Sequence, residues 1–191
     1  MLDKVDKIAT LEKQLAELTM PLDMMIEKQH LLMTLYEDEK RFDLARQLID
    51  NISKSKDASK YANYLKKAYD VLAFVDFHSY LIALEWNRPI EQRFYLPRIK
   101  VFRDVVRDLQ DLADGKLEFY MLNMPPRVGK STLGLLYLTW LGMREPMGSS
   151  LTGSYSTGLA KSFYAGVLEF INNESYRFNE IMGEHKVSTS A

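Results

Sequence analysis

A chain of 191 residues with 47% hydrophobic and 12% aromatic side chains has enough apolar surface for one sizeable core plus a smaller appendage, which sets it among globular rather than disordered chains. Lysine and arginine number 25 against 26 acids, a formal net charge of -1, so there is no whole-chain electrostatic footprint for nucleic acid or membrane, and any polyanion contact must be local. The lack of cysteine excludes disulfides and thiolate metal sites and suits a reducing compartment, with the cytoplasm as the expected location.

From the N-terminus, Leu2, Val5, Ile8, Leu11, Leu15 and Leu18 fall at three-and-four spacing, which predicts an amphipathic helix broken by Pro21. Its stripe suits either a packed bundle or a coiled coil with another subunit. The charged opening has no signal-peptide core, and the apolar run between Lys130 and Arg144 is shorter than the roughly 20 residues that cross a bilayer, so no membrane insertion is expected. Further helices are predicted over 22–36 and from Glu37 to Ile52, with the polar NISKSKDAS segment as a linker. Two more follow over 60–74 and 76–86. The prolines of 87–97 place a boundary near residue 88, giving a helical region at 1–58, a helical linker region at 59–88 and a further domain at 89–191.

Within that last region Ile99, Phe102, Val105, Val106, Leu109 and Leu112 share a helix face that Gly115 ends. Leu117 to Met124 reads as a strand, Ser131 to Met143 as a strongly apolar helix, Ser149 to Tyr155 as a second strand and Thr157 to Ile171 as a helix, with Ser156 as its cap. This rhythm predicts an α/β fold with an incomplete parallel sheet of the P-loop NTPase type, preceded by an all-helical region.

The chemistry-bearing segment is Pro125-Pro126-Arg127-Val128-Gly129-Lys130-Ser131-Thr132, between the first predicted strand and its helix. Backbone amides curling there, with the positive end of the helix dipole, suit phosphate oxygens. Gly129 lets the main chain come close, Lys130 supplies a point charge, the Ser131 hydroxyl is placed for Mg²⁺, and Arg127 can fork onto a phosphate or a carboxylate. The loop also departs from the usual pattern, which has glycine where this chain has Met124. The two readings are a nucleotide-binding loop for ATP with Mg²⁺ and a structural turn.

Residues 76–173, with EWNRP, RFYLPR, LQDLADGKLEFYMLNMPPRVGKSTL and GSYSTGLAKSFY in order, resemble the ATPase domain of the large terminase subunit of tailed bacteriophages. The resemblance implies a motor that drives double-stranded viral DNA through a portal protein into the procapsid. It also implies partnership with a small terminase subunit, a homo-oligomeric ring in the full-length form, and action in the host cytoplasm. It assigns triphosphate and Mg²⁺ contacts to Lys130 and Ser131, a loop arginine to Arg127, with Lys130 and Arg127 as catalytic candidates, and adenine contacts to an aromatic and polar patch before the loop. Phe94, Tyr95 and Arg98 are the nearest candidates for that patch, and the same aromatics would serve equally as plugs between helices. No aspartate follows Lys130, and no strand ends in paired carboxylates, so the second acidic motif and any two-metal nuclease cluster are missing. The chain therefore reads as the front part of a longer protein, expected to bind triphosphate with little turnover. The rival readings are a helicase-like DNA-dependent ATPase and a non-hydrolysing helical interaction module with a vestigial loop. His30, His78 and His185 show no metal-ligand spacing and carry no assigned role.

Overall fold

The computed structural model describes residues 2–16, 20–36 and 41–183. Expectations resting on the side chain of Leu2 and on Leu18, Glu37 and His185 lie outside what is described. The chain forms two compact units, Met1–Leu72 and Ala73–Ala191.

In the first unit, α1 (Leu2–Ala16), α2 (Leu22–Leu35), α3 (Phe42–Lys54) and α4 (Ala62–Leu72) each pack on the next, with a 3₁₀ turn at Ala58–Tyr61 before α4. The α1 stripe faces inward, where Leu11 meets Leu32 and Leu44 and is flanked by Ile8, Leu15, Leu35 and Tyr36. Ile8, Leu11 and Leu15 are thus covered within the unit, whereas Val5 is exposed. Leu48 and Ile52 are fully buried and hold the last turn of α3, so the helix continues through Lys54 and takes up the first part of the expected linker. A few polar groups inside find partners, as buried groups must. Asn51 Nδ2 donates to Gln29 Oε1 at 2.9 Å, and the Tyr61 hydroxyl donates to Asp23 at 2.9 Å. His30 stacks on Tyr64 with ring centroids 3.8 Å apart, and its Nδ1 is buried with no hydrogen-bond partner. Burial, and then the nearby Lys67 ammonium, lower the pKa of His30.

The second unit is built around α5 (Phe77–Leu84), every residue of which is buried except His78, which is half-buried. Asp76 starts it, its carboxylate accepting from Ser79 N at 2.7 Å, and Gln110 closes the same end, Oε1 accepting from Phe77 N at 2.8 Å. Around it lie α6 (Ile99–Ala113), α7 (Lys130–Arg144) and α9 (Phe178–Met182), with α8 (Thr157–Asn172) between α7 and α9. The stripe read for α6 is buried at Phe102, Val106 and Leu109. The centre is aromatic: Phe77 lies 5.0 Å from Trp140 and 5.2 Å from Tyr137, and Trp140 Nε1 donates to Ala73 O at 2.8 Å. Thr139 Oγ1 donates to Leu136 O, so the Tyr80 hydroxyl, 2.7 Å away, is the donor to Thr139. Gly166 lets α8 approach α7, since a Cβ there would come within 2.7 Å of Leu135 Cδ1. Ser156 caps α8, accepting from Leu159 N at 3.3 Å. Leu159 and Tyr164 nevertheless stay exposed, because only the C-terminal half of α8 is covered.

The α/β expectation is overturned. Helices account for 69% of the described residues and strands for none of them, and no sheet is present among them. The two segments read as strands, 117–124 and 149–155, form neither helix nor strand. The first keeps a strand-like alternation, with Tyr120, Leu122 and Met124 half-buried while Leu117, Phe119 and Met121 are exposed. A ladder needs a second backbone about 4.8 Å away, and among the described residues neither segment forms one. The apolar face of α7 packs on α5 instead, so helices supply the burial that a parallel sheet would have provided.

Candidate phosphate-binding site

The predicted loop turns directly into α7. Arg127 has φ +65°, the one non-glycine residue with positive φ among the described residues, and Gly129 has φ +102° as the N-cap of α7. Two left-handed residues with one between them turn the chain into the first turn of α7, where Ser131 is exposed and Lys130 and Thr132 are half-buried. No side chain caps this end, and the N–H groups of Lys130, Ser131 and Thr132 have no backbone acceptor among the described residues. These are orphan donors at the positive end of a 15-residue helix, an arrangement that favours an anion.

The side chains complete the loop unequally. Arg127 is exposed, with no hydrogen bond or ion pair among the described residues, so its guanidinium can swing onto an anion. Pro126 is exposed and Val128 half-buried, and both contribute backbone alone. Lys130 folds back, Nζ donating to Met124 O at 2.9 Å, and would exchange that carbonyl for phosphate oxygens. Met124, where the usual loop has glycine, therefore supplies an acceptor for the loop lysine. Ser131 is exposed and Thr132 half-buried at the first turn.

A triphosphate fits this donor set of amides, ammonium and guanidinium. Mg²⁺ would be held by the Ser131 hydroxyl, and no group of three His, Asp or Glu side chains converges among the described residues to add to it. Its remaining ligands would be phosphate oxygens and water, which that ion accepts readily.

Of the three residues singled out ahead of the loop, Phe94 stands against Gly129. Gly129 lies so close to this ring that an added Cβ would stand 2.5 Å from Phe94 Cε2. Arg98 is exposed, stacks over the same ring at 5.3 Å and donates to Phe94 O at 3.0 Å. Tyr95 is fully buried, its hydroxyl 2.6 Å from His78 Nδ1, so its ring faces the interior of the unit and offers no surface to a base. Sequence reasoning missed Glu85. This carboxylate is 2% exposed and accepts from the backbone N–H of Phe94 at 2.7 Å and of Tyr95 at 3.0 Å. The available signal was a single acid in the otherwise apolar run Leu81-Ile82-Ala83-Leu84-Glu85-Trp86.

No protein-family model, no curated protein and no solved structure matches the chain. Among the described residues, no helix is long and apolar enough to cross a membrane.

Proposed function

We propose that residues 125–132 bind the phosphates of ATP with Mg²⁺, and that the chain is the ATP-binding portion of a phage DNA-packaging motor, the large terminase subunit. In this reading it works in the host cytoplasm on double-stranded viral DNA, with a portal protein, a small terminase subunit and further copies of itself in a ring. The observation that carries phosphate binding is the uncapped start of α7 behind two left-handed residues, with Arg127 and Lys130 beside it. The assignment to a packaging motor rests on the ordered motifs between residues 76 and 173, and not on a sheet. This reading expects weak turnover, since no aspartate follows Lys130 and no acidic cluster is formed among the described residues.

A second reading, a helical interaction module with a vestigial loop, is favoured by two observations: the described residues are helical without strands, and Lys130 is engaged by Met124 O. Calorimetric titration of Mg-ATP into the full chain separates the two. The phosphate reading expects saturable binding that Lys130→Ala weakens at least tenfold, about 1.4 kcal/mol. Equal affinity in parent and variant would leave the interaction module standing.

A further inference from the structure

We infer that Glu85 is a positioning residue for the phosphate loop, acting through the ring of Phe94; this rests on reading residues 125–132 as a phosphate site. Burying a carboxylate is costly unless its oxygens are satisfied, and each oxygen of Glu85 accepts from one of two consecutive amides, those of Phe94 and Tyr95, with Arg88 Nε a longer 3.9 Å from Oε1. The strap around those amides is fixed at further points. Arg93 donates from Nε to Arg88 O at 2.8 Å and from Nη2 to Trp86 O at 2.7 Å, and the Tyr95 hydroxyl is held against His78.

With its backbone so held, Phe94 has little room to retreat. Its ring rests on Phe102, 5.3 Å between centroids, and closes over Gly129. Gly129 is the hinge on which the Lys130, Ser131 and Thr132 amides turn, and without the ring it is free to leave φ +102°. Glu85 thus sets the direction of the anion-binding amides without touching the anion. A carboxylate that merely ended α5 would need neither the paired amides nor the contact at Gly129.

The test compares the full chain with Glu85→Gln, Phe94→Leu and, as a control destabilised elsewhere in the same unit, Thr139→Val. Glutamine keeps the shape of Glu85 but sets an NH₂ group against one of the two amides. Two measurements are made: Mg-ATP affinity, and hydrogen exchange of the amides at 129–131. The expectation is a loss of affinity of roughly tenfold in both Glu85→Gln and Phe94→Leu, the lower end of what outer-shell partners contribute at other sites. Faster exchange at 129–131 should accompany it, and neither change should occur in Thr139→Val. If the parent binds ATP and Glu85→Gln matches it in affinity and exchange, the positioning role falls alone. If Thr139→Val loses affinity to the same extent, the effect of Glu85 is general stability and the role also falls. A parent chain that does not bind ATP overturns the phosphate reading and this role with it, even where the exchange result shows the strap itself to be real.

Discussion

Gly129→Ala tests the loop geometry through stability, independent of any ligand. Alanine at φ +102° carries a left-handed strain of about 1–2 kcal/mol. Its Cβ would also stand 2.5 Å from Phe94 Cε2, about 1 Å inside ordinary contact, and forcing such a group into packed surroundings costs about 1–3 kcal/mol. Against these, alanine restricts the unfolded chain and returns about 0.4–1 kcal/mol. The net expectation is a loss of about 2–4 kcal/mol, in which the steric part belongs to one identifiable ring. Phe94→Ala removes that ring, so in its background Gly129→Ala should cost only about 0.5–1.5 kcal/mol from strain alone. The assay is urea unfolding followed by tryptophan fluorescence, with Trp140 buried at the centre of the second unit, and a double-mutant cycle across the four chains. Equal costs with and without the Phe94 ring would refute the close approach, and a cost near zero in both would refute the left-handed turn as well.

The Tyr80 and Thr139 pair should respond asymmetrically to substitution. Tyr80→Phe removes a donor and leaves Thr139 bonded to Leu136 O, at a cost of about 0.5–1.5 kcal/mol, whereas Thr139→Val strands the fully buried Tyr80 hydroxyl at about 1–3 kcal/mol. Equal losses in denaturant melts would show that the donor assignment is incorrect. Acidification should destabilise the chain, because burial lowers the pKa of both His30 and His78 below their ordinary 6.5. The unfolded chain then binds protons that the folded one refuses, so stability falls as pH drops from about 6.5 toward the folded values and levels off below them. His30→Gln with His78→Gln should flatten that slope in melts run between pH 7 and 5, and an unchanged slope would assign the effect to carboxylates.

Legibility in the sequence followed the reach of each signal. Helical periodicity is local, so the α6 face at Phe102, Val106 and Leu109 and the cap at Ser156 could be read directly. The start of α7 after Gly129 was equally local, since glycine before an apolar run marks a helix boundary. Strand formation depends on a distant neighbour, and the alternation at 117–124 could announce an extended segment but not a partner for it. The same limit governs the site: the loop was legible as consecutive residues, whereas Glu85, Phe94 and Gly129 come together only through the fold. Tyr95 illustrates the converse, since an aromatic near a candidate site carries no mark in sequence of whether it turns toward the ligand or, as here, toward His78.

Arg177 is 2% exposed, and its Nη1 donates to Ala83 O at 2.9 Å while its own backbone N–H donates to Leu84 O at 3.0 Å. A guanidinium therefore sits at the negative end of α5, while its Nε and Nη2 donate to the two carboxylate oxygens of Glu180 at 2.7 and 2.9 Å. Shortening the polypeptide ahead of Arg177 would strip both donors from the carbonyls of Ala83 and Leu84. A truncation more than ninety residues away in sequence would then be felt at the last turn of α5, and domain dissection of this chain should keep residues 177–182 attached to the segment whose behaviour is under study.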